Sequence, residues 1–219
     1  MQATCWYCDV TAWSSPEQFE RGMAALPWQA RKDRVMRFRF EKDRLLCLGA
    51  GLLAAHALKT AGAADLEMAY SESGKPFLAR HPEIRFSLSH SGTTAVCAVS
   101  GTEIGADVEI PRRFQPGVAR RCFTAEELAY IEGAADRDAV FTRMWVRKES
   151  CLKMLGTGLL KAPDTVSVLP DVPAPGAGWG FSEYAAGDVR ICVCTAVPAE
   201  TGFVEWKGSG ACRSLILTP

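Results

Sequence analysis

Phe86-Ser87, Gly92 and Cys97 return later in the chain as Phe181-Ser182, Gly187 and Cys192, each displaced by 95 positions. In both places two apolar-rich runs flank the glycine, which reads as a β-hairpin. A chain that repeats a hairpin in this way is constrained to fold as two similar halves, each a strand, helices and a hairpin, related by a pseudo-two-fold axis. The fold class expected is α+β, each half with a small, mainly antiparallel sheet packed on helices. Residues 1–102 make the N-terminal half and residues 103–219 the C-terminal half, and the ligand site is expected in the cleft between them.

Length and charge narrow the partners. With 219 residues the chain can bury a sizeable core. Lys+Arg and Asp+Glu both number 25, so no global field favours nucleic acid or an anionic membrane. The amino terminus has no basic leader, and the longest apolar run, Leu45 to Leu58, contains His56 and is too short to span a bilayer. A cytoplasmic protein is expected. Nine cysteines, an odd count, fit free thiols packed as small hydrophobes better than a disulfide framework. Cys5-Trp6-Tyr7-Cys8 fits C-x-x-C but lies in a strand-like run with no second pair, which disfavours zinc or redox use. Gly49-Ala50-Gly51-Leu52-Leu53-Ala54 matches G-x-G-x-x-A inside a helical run rather than after a strand, so its glycines serve helix packing, not a dinucleotide.

In chain order, residues 3 to 10 read as a strand, and Ser14-Ser15-Pro16-Glu17 reads as an N-cap opening a helix toward Leu26. The segment from Arg31 to Phe40 is the densest basic stretch, and an apolar helix from Asp43 to Thr60 carries Arg44. Ser73 to Phe77 is a turn, and residues 84–91 and 94–100 are the first hairpin. Thr124 opens a helix with a capping box. A long helical stretch closes at Gly156 to Leu159, and residues 181–197 form the second hairpin.

The chemistry concentrates in two segments. On the strand Glu103 to Ile110, Asp107 and Glu109 stand at i and i+2 and so share a face. Two carboxylates there raise a pKa, pair with a cation of the protein or hold a metal ion. Around Trp145, the helical spacing of Trp145, Leu152 and Leu155 leaves Lys148, Glu149 and Lys153 on the other faces, a carboxylate between two ammonium groups. Glu149 is the candidate third metal ligand. The bland alternatives are an edge-protecting acid pair, a solvated helix face, and a solvated basic face around Arg31 to Arg44.

Four ordered blocks coincide with a known pattern: Gly74-Lys75-Pro76; Phe86-Ser87-Leu88-Ser89-His90-Ser91; Gly105-Ala106-Asp107-Val108-Glu109; and Trp145-Val146-Arg147-Lys148-Glu149-Ser150 with Lys153. Over roughly residues 31–159 the sequence resembles the Sfp-type 4'-phosphopantetheinyl transferases, with Ser87 where asparagine is usual. The resemblance implies a Mg2+-dependent transfer of the phosphopantetheine arm of coenzyme A to a serine of an apo acyl or peptidyl carrier protein, releasing 3',5'-ADP. It further implies that Asp107, Glu109 and Glu149 hold the metal, that Glu149 deprotonates the serine, and that Lys153 stabilises charge on the pyrophosphate. Arg31, Arg34, Arg44, Lys75, Pro76, Ser89, His90 and Lys148 would bind coenzyme A, with Arg44 and His90 on its 3'-phosphate and Lys148 positioning or contacting phosphate. Arg112, Arg113 and residues 120–123 would receive the carrier. A fused pseudo-dimer is expected to act as a monomer.

Other readings use the same residues. A Mg2+-dependent phosphoesterase would also use three acids, and a non-catalytic coenzyme A or carrier-protein module would keep the fold. A Ser89-His90 hydrolase is disfavoured, because neighbours on a strand point to opposite faces and no G-x-S-x-G elbow exists.

Overall fold

The computed structural model describes residues 2–157, 162–170, 178–208 and 212–214. Its first strand, β1 (Ala3–Asp9), alternates between two apolar environments. Ala3 and Cys5 enter one core cluster and Trp6 and Cys8 another, so β1 is covered on both faces. Beside it β5 (Thr94–Ser100) runs antiparallel, followed by β4 (Arg85–Ser91). The second half repeats the arrangement, with β6 (Ile104–Glu109) antiparallel to β8 (Val189–Thr195), and β8 to β7 (Gly180–Ala186). Both hairpins turn on a glycine at positive φ, Gly92 at 60° and Gly187 at 57°, where a side chain would be strained. Each half also holds one long helix between its first strand and its hairpin, α3 (Glu41–Thr60) and α6 (Arg137–Leu155). The halves expected from the repeated hairpin are therefore present, and the fold is α+β.

Shorter elements complete the chain. Ser15 caps α1 (Pro16–Ala25), and α2 (Gln29–Arg37) carries much of the basic segment. A small hairpin, β2 (Met68–Tyr70) and β3 (Pro76–Leu78), follows α3. After β6 come α4 (Pro116–Cys122) and α5 (Ala125–Glu132), the latter opened by the expected capping box of Thr124 and Glu127.

The halves stack as helix, sheet, sheet, helix. Leu48, Leu53 and Leu58 of α3 pack on the outer face of the first sheet against Trp6, Phe86 and Cys97. Between the sheets, Cys5, Val96 and Ala98 meet Ile104, Ala106, Val108, Ile191 and Val193. On the far side Phe141, Cys151 and Met154 of α6 pack against Cys194. Each fully buried aliphatic or aromatic side chain here contributes about 1.5–3 kcal/mol. Gly49 and Gly51 admit Val10 and Arg31 to the surface of α3, as their place in a helical run predicts. Cys5 and Cys8 enter different clusters and are free and buried, so they form neither a bridge nor a chelate, and burial pushes Cys8 up to about 12.

One feature departs from two self-contained halves. β9 (Thr201–Trp206) returns to the first sheet and pairs in parallel with β1, and β10 (Cys212–Ser214) adds beyond it, giving the order β10-β9-β1-β5-β4. The outer edge of β1 would otherwise present unpaired backbone groups. Phe203 of β9 fills the gap between the sheets, stacked on Tyr7 at 4.6 Å and on Tyr184 of β7 at 4.3 Å between ring centroids.

The halves also meet where β4 passes β6 in the other sheet. Ser87 Oγ accepts the Ala106 N–H at 3.0 Å, and the Ser89 and Ser91 hydroxyls donate to Asp107 Oδ1 and Glu109 Oε2, both at 2.7 Å. The period of two along both strands brings these hydroxyls and carboxylates together. From the other side α6 presses directly on β6 at Gly105, where a Cβ would stand 1.9 Å from the Ser150 carbonyl oxygen. Only glycine admits the helix so closely.

Candidate active site

Alternation along β6 sends Ala106 and Val108 into the core between the sheets and turns Asp107 and Glu109 toward β4 and α6. Asp107 is buried. Its Oδ1 accepts from Lys153 Nζ at 2.6 Å and from the Ser89 hydroxyl, and Lys153 also donates to Ser89 at 2.9 Å, closing a triangle. Glu109 receives Ser91 on one oxygen and Arg112 on the other at 2.5 Å, while the Arg112 guanidinium lies over the Trp145 ring at 5.2 Å. Glu149 stands one helical turn before Lys153. Burial pushes its carboxyl above the usual range, nearby Asp107 and then Glu109 add to the rise, and Lys153 opposes it.

These acids act on one another, yet among the described residues no three stand as a ready ligand set for a metal ion. Lys153 and Arg112 neutralise Asp107 and Glu109 instead. The donors nevertheless suit a hard divalent cation, being carboxylate oxygens with hydroxyls behind them. Asp107 Oδ2 is buried without a hydrogen-bond partner, and such an oxygen is costly unless something positive approaches it.

A cationic group lies alongside. Burial holds the His90 imidazole below its ordinary range, and Arg31, Lys153 and then Arg34 push it further the same way. Arg31, Lys153 and Arg34 thus lie near enough for their charges to act on the His90 ring. Arg31 is anchored there by its Nε–H bond to the Cys47 carbonyl at 3.0 Å. Arg44 sits in the first turn of α3 and donates to the Phe38 carbonyl at 2.7 Å, bracing the turn from α2.

A family model described as the 4'-phosphopantetheinyl transferase superfamily matches residues 103–185, and one described as the N-terminal part of 4'-phosphopantetheinyl transferase matches residues 11–102. A 4'-phosphopantetheinyl transferase of Bacillus subtilis is 32% identical over 208 residues, covering 86% of this chain and 90% of its own. The chain belongs to the 4'-phosphopantetheinyl transferase superfamily. The transferase HetI of a Nostoc species is 30% identical over 203 residues, covering 86% of this chain and 84% of its own. For psf-1 of Bacillus pumilus the figures are 30% over 185 residues, 77% and 78%.

In this transferase the structure gathers Asp107, Glu109, Glu149, Lys153 and Ser89 at one place, with Arg31, Arg34 and His90 beside them. One residue expected to bind coenzyme A is placed otherwise. Lys148 points to the opposite side of α6, its ammonium buried against Glu127 Oε2 at 2.7 Å, the Pro163 carbonyl at 3.1 Å and the Val166 carbonyl. Adjacent helix positions diverge by about 100°, so once Glu149 faces the cleft its neighbour turns away from it. Lys75 is half-buried and bonds Glu103 at 2.8 Å and the carbonyls of Ile104 and Met154 at 3.3 Å. Its three donors brace β6 and α6, and its side chain lines the groove that also holds Glu149 and Lys153. Arg112, expected at the carrier surface, is instead the cation on Glu109, whereas Arg113, Arg120 and Arg121 are exposed.

Ser91 and Arg112 are site residues that sequence reasoning left without a role on Glu109. The hydroxyls at 87, 89 and 91 do carry a signal, three polar side chains on one face of a strand. From Glu149 and Lys153 a groove of about 450 Å³ runs past Trp145, Leu152, Leu88 and Phe86 to Pro76. Its lining is mostly apolar. No described helix is long and apolar enough to cross a membrane.

Proposed function

We propose that this transferase moves the 4'-phosphopantetheine arm of coenzyme A onto the serine of an apo acyl or peptidyl carrier protein, with Mg2+ and with release of 3',5'-ADP. The observation that carries the reading is the Asp107–Lys153–Ser89 triangle with Glu149 one turn away and a cationic cluster beside it. Mg2+ held by Asp107, Glu109 and Glu149 would polarise the pyrophosphate. Glu149 accepts the proton of the serine hydroxyl as its oxygen bonds to the phosphorus of the arm, and the bond to the departing 5'-phosphate of 3',5'-ADP breaks. The raised carboxyl of Glu149 suits it to take a proton. Lys153 leans on Asp107 and can shift toward the charge that develops on the pyrophosphate.

Arg44 and His90, joined by Arg31 and Arg34, would form the 3'-phosphate subsite, and the mostly apolar groove would take the pantetheine arm. Exposed Arg113, Arg120 and Arg121 would meet an acidic carrier. The reading is tested by incubating the protein with coenzyme A, Mg2+ and an apo carrier domain and weighing the intact carrier. Gain of one phosphopantetheinyl group in wild type, and none with Asp107→Ala, is expected; an unmodified carrier would sink the proposal. The same protein reports the subsite. Because His90 is held below its usual range, a bound phosphate must draw a proton onto it. The preference for coenzyme A over dephospho-coenzyme A should therefore widen as pH falls through the imidazole range, and a flat preference would remove His90 from the 3'-phosphate.

A further inference from the structure

We infer that the buried Glu127–Lys148 pair is the positioning device for one wall of the groove beside Glu149. The inference rests on the transferase reading for what occupies that groove. Glu127 on α5 is completely buried, and Lys148 on α6 is nearly so. Neither side chain bonds an acid of the cleft, yet between them they hold residues 163–168, a short 3-10 turn and the extended residues after it. Lys148 donates to the carbonyls of Pro163 and Val166, and Glu127 Oε1 accepts the Val168 N–H at 2.7 Å. The other oxygen of Glu127 binds Lys148 and the Thr124 N–H at 2.8 Å, tying the same network into the first turn of α5.

Pro163, at the head of this segment, lines the groove together with Cys122, Trp145, Leu152 and Glu149. Val166 and Val168 turn inward, into the core beneath α6. Successive residues of α6 thus divide the work. Glu149 faces the groove, and Lys148, on the back of the helix, fixes how far the opposite wall stands from it.

A buried ion pair is a poor source of net stability, because desolvation offsets most of the attraction, and an apolar replacement of similar volume is often tolerated. Two charges kept inside the protein to tether three backbone groups point instead to control of position. Lys148 and Glu127 are positioning residues and not catalytic ones, since their side chains bond each other and backbone groups, and no carboxylate or ammonium of the cleft.

The experiment compares coenzyme A with 3',5'-ADP, which lacks the arm, by calorimetry in Mg2+. Lys148→Met strands Glu127, so the double variant Glu127→Leu/Lys148→Met is measured beside it to keep a folded protein in hand, with circular dichroism as the check. The variant is expected to bind 3',5'-ADP as wild type does and to lose about tenfold in affinity for coenzyme A, the size of a missing apolar pocket contact. A folded variant in which both ligands are unchanged, or both weaken alike, overturns the positioning role. A wild-type protein that binds neither ligand overturns the transferase reading, and this inference with it.

Discussion

Asp107 sits where three demands meet: it anchors Lys153, accepts Ser89, and keeps one buried oxygen without a partner. Glu149 bears the electrostatic consequence. Its folded-state pKa lies above the unfolded value, so around the carboxylate titration range the native state holds more protons than the unfolded state. Stability contributed there is present at low pH and lost as pH rises through that window. Glu149→Gln should then raise the metal-free melting temperature at neutral pH by a few degrees, and the gain should vanish as pH falls toward 4. Transfer should drop by about 10²-fold or more, as for loss of a general base. A melting temperature that is unchanged or lower in Glu149→Gln at neutral pH would mean that the carboxylate is not strained in the cleft. At this scale Asp107 and Glu109 were legible, because strand alternation is a local rule. The face of Lys148 was not, since spacing tells which residues share a side but not which neighbour packs on it.

Among the elements, the contact of α6 with β6 decides the site. Gly105 leaves no space for even one methyl group, the nearest atoms being the Ser150 carbonyl oxygen and the Met154 nitrogen at 2.3 Å. Backbone cannot rotate aside as a side chain does. Gly105→Ala should destabilise the protein by about 3 kcal/mol, at the upper end for an overpacked core. It should also separate Lys153 from Asp107, abolishing transfer even in the fraction that folds. Denaturant titration and the carrier-mass assay check both, and an active, fully stable Gly105→Ala would show that the helix can stand off the strand. The long helices and both hairpins were readable from apolar patterning and glycine stops and turns. The return of β9 to β1 was not, because a six-residue strand specifies a buried face without naming its partner.

For the whole molecule, the pseudo-two-fold arrangement places the cleft at the boundary of two sheets and lets one strand from each half supply it. β9 and β10 break the symmetry by adding only to the first sheet. Truncation after residue 199 should therefore expose the edge of β1 and part of the Tyr7 stack while leaving Asp107, Glu149 and Lys153 in sequence. The expected outcome is a soluble yield several-fold lower and concentration-dependent association in light scattering; a monodisperse truncated protein would show that β1 needs no cover.

The parallel pairing of β1 with β9 has a further consequence in time. Residues 3 to 7 find their partners at 201 to 205, so β1 is synthesised long before the strand that covers its edge. Closing so long a loop is entropically expensive, and non-local pairings of this kind slow folding. The edge of β1 stays uncovered until β9 has been made, so the five-stranded sheet is completed only when β9 docks on it.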